Sequence, residues 1–134
     1  MKTTCTLIAL VAFFGTSITT VSANCYTGGD FWQDKGAARY HAERACRGYD
    51  GHQGAFQGTF GGGEKKSACI QFSPTQAIDL SIQNLNANSA IDLADADCIL
   101  RLSNEINACD RGGDSTIANW RFIADPNNRI CQIH

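Results

Sequence analysis

The sequence has no surplus of basic charge. Eleven Lys and Arg stand against 13 Asp and Glu, and Lys65-Lys66 is the one adjacent basic pair. A nucleic-acid binder carries a basic stripe or patch, so that partner class is set aside. No two of the seven cysteines stand at the gap of a zinc ribbon or a CxxC redox site. The three histidines, His41, His52 and His134, share no ligand spacing. No metal and no cofactor is expected. The chain also lacks an Asn-x-Ser/Thr sequon, a Gly-x-Ser-x-Gly nucleophile turn and any catalytic-cysteine context. Its one long apolar run, Leu7 to Phe14, is about half the ~20 residues that span a bilayer. A membrane span is therefore not expected.

That apolar run has a different use. It follows Lys2 and leads through a polar stretch to Val21-Ser22-Ala23, with small residues where signal peptidase cuts. Basic start, short apolar centre and small-residue exit make a secretory signal over 1–23, leaving a single domain over 24–134. Cys5 leaves with the signal, so six cysteines remain: Cys25, Cys46, Cys69, Cys98, Cys109 and Cys131. An even count in a short exported chain reads as a disulfide framework in a secreted, extracellular protein. Loss of Lys2 leaves 10 basic against 13 acidic residues, a net charge of −3.

The spacing of apolar residues predicts the elements. Asp30 to Gln33 fits a capping box ahead of a helix over 31–47, on which Ala38, Ala42, Ala45 and Cys46 share one face. Residues 55–60 and 67–72 read as strands joined by a glycine-rich tip at 61–66. Along 77–85, Ile78, Leu80 and Ile82 alternate with Asp79, Ser81 and Gln83, the pattern of an antiparallel strand with one covered face. A second helix over 94–109 carries Cys98, Leu102, Ile106 and Cys109 on one stripe. Trp120, Phe122 and Ala124 begin a last hairpin, with a turn at Asp125-Pro126-Asn127-Asn128 and a return over 130–133. A short strand at Cys25 completes the set. The fold class is α+β, a two-layer α/β sandwich of an antiparallel sheet and two helices.

Cys98 and Cys109 are eleven residues apart on one helix, so about 16 Å separates them, beyond disulfide reach. Each must tie the second helix to something else. If the two helices lie antiparallel on the sheet, the end of the first meets the start of the second, favouring Cys46–Cys98. Cys109 then meets the segment before the first helix, giving Cys25–Cys109, and Cys69–Cys131 remains.

The cysteine spacing resembles that of the smut-fungus killer toxins. Those toxins are α/β sandwiches with two antiparallel helices, and their shared bridges would map onto the same three pairs. They carry two further disulfides and a basic functional loop that have no counterpart here. A second resemblance rests on residues: Cys25-Tyr26, Gly28-Gly29-Asp30 and Trp32, then Cys109, Gly112-Gly113, Trp120-Arg121-Phe122, Asp125-Pro126-Asn127 and Cys131. Together these resemble the inky-cap mushroom glycan-binding protein family. That resemblance implies a non-enzymatic, lectin-like carbohydrate-binding protein.

Enzymatic constellations are weak by comparison. His41 and Glu43, with Arg44 and His52, suggest the acid–base set of a secreted ribonuclease, but residues two apart on a helix point in different directions. Asp92, Asp95 and Asp97 suit a helix start better than a glycosidase pair. No catalytic residue is expected. Sugars are held by aromatic faces and by planar polar groups making paired hydrogen bonds. Tyr26, Trp32, Tyr49 and Trp120 with Asp114, Arg121, Asp125 and Asn127 supply both. The expected surface is the loops around Gly28-Gly29-Asp30 and Gly112-Gly113-Asp114, with the open face of the sheet as the alternative. The expected partner is a cell-surface or cell-wall glycan. Exposed strand edges allow a homodimer. A killer-toxin-like or effector protein, and a secreted nuclease, are the alternatives.

Overall fold

The computed structural model describes residues 22–132. The secretory signal expected over 1–23 lies outside the described residues except for Ser22 and Ala23, as does Ile133 of the expected return strand.

Alternation along Gln76–Asn84 (β4) builds the centre of a five-stranded sheet. Ile78, Leu80 and Ile82 are at most 1% exposed on the covered face. β4 pairs antiparallel with Lys65–Ser73 (β3) on one side and Trp120–Asn127 (β7) on the other. Gly113–Ile117 (β6) pairs with β7, and Ser22–Cys25 (β1) pairs with β6. The order is β1-β6-β7-β4-β3, antiparallel throughout. Two short strands, Thr59–Phe60 (β2) and Ile91–Asp92 (β5), form a separate pair.

Two helices cover one face of the larger sheet, Lys35–Arg47 (α1) and Asp95–Ala108 (α2). They bury Ala38, Ala42 and Cys46 from α1, and Cys98, Leu102 and Ile106 from α2, against Phe56, Phe60, Phe122 and the β4 aliphatics. The small residues of α1 allow its close approach. The helices run antiparallel: Lys35 at the start of α1 reaches Asp110 beyond the end of α2, at 2.7 Å, and Arg39 reaches Asn107 at 2.6 Å. The three bridges are Cys25–Cys109, Cys46–Cys98 and Cys69–Cys131. The fold is the expected α+β sandwich.

Local details differ from the expectations. α1 starts at Lys35, four residues late, capped by Asp34, whose carboxylate accepts from the Ala37 N–H at 3.0 Å. Trp32 is the reason: its ring is drawn into the core and its Nε1–H donates to the Cys109 carbonyl at 2.8 Å, holding 31–33 out of the helix. Residues 55–60 do not pair with 67–72; β2 pairs with β5, and β3 with β4. The buried Asn84 decides this, because its Nδ2 donates to the carbonyls of Phe60, Gly61 and Ser89 and ties both loops to the end of β4.

The last hairpin is shifted as well. Its turn is Ala118-Asn119, both at positive φ (51° and 67°), between β6 and β7. Asp125-Pro126-Asn127 continues β7 instead of turning. Pro126 is tolerated because β6 pairing stops at Gly113↔Ala124, so β7 runs past its β6 neighbour there. Residues 130–132 form no strand. β1 straddles the expected cleavage point, and Asn24↔Asp114 and Cys25↔Gly113 lie on its domain side.

Candidate functional site

The face of the sheet away from the helices carries the polar half of each strand's alternation. Register sets its rows. Asp79 of β4 stands opposite Asp125 of β7 and Cys69 of β3, and Ser81 stands opposite Ile123 and Ser67. Beyond β7, the tail 128–132 is pinned back by the Cys69–Cys131 bridge. Between tail and strands lies a concavity of about 600 Å³, lined by Lys65, Ser67, Asp79, Ser81, Ile123, Asp125, Asn127, Arg129 and Gln132 among others.

Its polar groups are held by one another. The Asn127 Nδ2 donates to Asp79 Oδ2 at 2.7 Å and to Asp125 Oδ2 at 3.1 Å. Arg129 clasps Asp79 through both Nε and Nη2, at 3.2 and 2.5 Å. Asp79 is thereby matched by a cation, whereas Asp125 has an amide. Burial raises the pKa of Asp125, and nearby Asp79 adds to the rise, while the Asn127 hydrogen bond opposes it. Toward β6, Arg121 grips Asp114 with Nε and Nη2, at 3.0 and 2.5 Å. Tyr26 stands beside this pair, its hydroxyl pKa raised by burial and by the Asp114 and Asp125 charges.

Of the sequence-derived candidates, Asp125 and Asn127 line the concavity, and Tyr26, Asp114 and Arg121 flank it on the same face. Two are elsewhere. Trp32, 8% exposed, is a core residue, leaving no ring face for a ligand. Trp120 packs edge-on to Phe60 at 5.1 Å, on the helix side. Tyr49 lies apart, exposed, with the Arg44 guanidinium 3.6 Å over its ring. The two Gly-Gly-Asp loops do adjoin: the Tyr26 N–H donates to the Gly112 carbonyl at 2.9 Å, and Arg111 to the Thr27 carbonyl at 2.6 Å. Packing accounts for the second glycine pair. A Cβ on Gly112, at φ +82°, would stand 2.5 Å from the Ala124 carbonyl, and one on Gly113 2.5 Å from Glu105 Oε2.

Asp79, Arg129, Ser67, Lys65 and Gln132 were not singled out in the sequence. Asp79 was visible as a solvent-side residue of β4, but its opposition to Asp125 depends on strand order. The residues of the ribonuclease-like set are held by their own neighbours, with Arg44 over the Tyr40 and Tyr49 rings. His41 packs between Tyr40 and Phe72, Glu43 pairs with Arg47, and His52 lies against Tyr49. One carboxyl is buried on the other side of the sheet: Glu105, 4% exposed, accepts from the Ser115 hydroxyl, and burial pushes its pKa up to about 7.

No family model, no curated protein and no solved structure matches the chain. Among the described residues, no helix is long and apolar enough to cross a membrane.

Proposed function

We propose that this protein is a secreted carbohydrate-binding protein, acting without catalysis, and that its glycan lies on the open face of the sheet. The observation carrying this reading is the concavity in which Asp79, Asp125, Asn127 and Arg129 meet beside Ile123. Carboxylates and amides match the spacing of adjacent sugar hydroxyls and bond two at a time, while an aliphatic side chain suits the C–H patches between them. Three disulfides are compatible with an oxidising, extracellular setting. Resemblance of the Cys25–Trp32 and Cys109–Cys131 stretches to mushroom glycan-binding proteins points the same way.

Binding is favoured over cleavage by one detail. A glycosidase needs the scissile oxygen between its two carboxyl groups. Here the Asn127 amide bridges Asp79 and Asp125 and fills that position. Cell-surface and cell-wall glycans are the proposed partners, and the outer strands β1 and β3 are the edges through which two chains would pair.

The test is a glycan array probed with the folded protein, alongside Asp125→Ala and Asn127→Ala. A bound glycan should lose affinity by about 1–3 kcal/mol, or five- to 150-fold, with either substitution. An array without hits, or full affinity in both variants, refutes this reading. Chitin and β-glucan incubated with the protein should stay intact.

A further inference from the structure

The three disulfides differ in their surroundings. Cys46, Cys98 and Cys109 are each 1% exposed, so two bridges are anchored in the core. Cys69 is exposed and Cys131 half-buried, on the open face. What the third bridge holds differs too. The tail 128–132 contributes no buried side chain, and Ile130 is 62% exposed. Polar contacts alone assist the bridge: the Cys131 N–H donates to Gln71 Oε1 at 2.7 Å, Gln71 Nε2 donates to the Arg129 carbonyl at 3.2 Å, and Arg129 pairs with Asp79. This tail supplies Arg129 and Gln132 to one wall of the concavity.

The Arg129 guanidinium, paired with Asp79, also stands at the exposed sulfur and can donate to it. The Arg129 Nη2 is 3.6 Å from Cys69 Sγ. Positive charge stabilises a thiolate, and a stabilised thiolate leaves faster in disulfide exchange.

We propose that Cys69–Cys131 is a reducible clasp on the open-face groove: a dithiol opens it selectively, frees the tail and removes one wall of the site, while the rest of the fold stands. The regulatory half of this inference rests on the carbohydrate reading above; the clasp itself does not. In the exchange, a reductant thiolate attacks Cys131 Sγ, the S–S bond breaks, and Cys69 departs as a thiolate beside Arg129. The second reductant thiol attacks its own sulfur in the mixed disulfide and releases Cys131. Two electrons pass from the dithiol, which becomes a disulfide, to the cysteine pair, and the two dithiol protons end on Cys69 and Cys131.

The experiment uses graded dithiothreitol without denaturant, trapping with iodoacetamide and peptide mass mapping. Cys69 and Cys131 should be labelled at least tenfold faster than the other four cysteines. At that stage the Cys131 amide should exchange freely with solvent, and the near-ultraviolet dichroism of the core tryptophan should persist. Equal labelling of Cys46, Cys98, Cys25 or Cys109, or loss of the tryptophan signal with the first bridge, overturns the proposal. The double variant Cys69→Ser/Cys131→Ser should fold with the tail open to proteases, and its failure to fold also overturns it. On a glycan array the reduced protein should bind at least tenfold more weakly, and equal affinity in both redox forms removes the regulatory role. Selective opening with no glycan bound by either form upholds the clasp and sinks the carbohydrate reading.

Discussion

Glu105 is the residue whose environment departs furthest from its chemistry. Its carboxyl lies under β6 with a serine hydroxyl as donor and, among the described residues, no cation partner. A folded-state pKa near 7 against an ordinary value of 4.5 means that the native state holds its proton longer than the unfolded chain. Below pH 4.5 both states are protonated and nothing is lost. As pH rises from 4.5 to 7 the unfolded chain ionises first, so native stability falls, levelling off above 7. The shift corresponds to about 3 kcal/mol at most. Glu105→Gln keeps an acceptor for Ser115 and cannot ionise. Urea midpoints measured across pH 4 to 8 should fall for the native protein and flatten in this variant. A parallel decline in both would place the titration elsewhere. On the open face, Asp125 and Asn127 were legible as planar polar candidates from residue type alone. Trp32 was not legible as core, since an aromatic near a glycine pair reads equally well as a platform or as packing.

At the scale of elements, periodicity carried β4 and α2 to within one residue of their ends, and α1 to its C-terminus only. It failed where single contacts override it. Asn84 captures three carbonyls and redirects residues 59–60 to β5. Ala118-Asn119 lacks the glycine that usually marks a two-residue hairpin, so β6 was missed. The entry to β6 is equally specific. Gly112 takes φ +82° against the β7 backbone, where a Cβ would meet the Ala124 carbonyl and the Pro126 ring. Gly112→Ala therefore adds steric overlap to a left-handed backbone penalty of about 1–2 kcal/mol. Denaturant titration should show a loss of at least that size, and a neutral result would mean that the α2–β6 connection relaxes freely.

At the scale of the molecule, the bridges divide the labour of holding two layers together. Cys46–Cys98 and Cys69–Cys131 close loops of similar separation, 52 and 62 residues. Chain entropy therefore assigns them nearly equal weight, about 4 kcal/mol each. Packing separates them. Cys46 and Cys98 belong to the core between α1 and α2, so Cys46→Ala/Cys98→Ala also leaves a void there. Thermal denaturation should show this variant less stable than Cys69→Ser/Cys131→Ser. The reverse order would mean that the tail, not the helix pair, limits the fold.

Composition and local periodicity by themselves determined the α+β class, the two helices, the one-sided central strand and the disulfide framework. Each of these follows from rise per residue, side-chain alternation or the reach of a disulfide. Tertiary structure alone decided which strands are neighbours, and with them the site. Asp79 and Asp125 are 46 positions apart in the chain. They face each other because β7 slots between β4 and β6, a choice set by burying Phe122 and Ala124 beneath the helices. The same choice turned the polar edge of β7 outward and closed the groove with the tail. Such pairings are settled by the burial of the whole apolar face at once, which no local window of sequence contains.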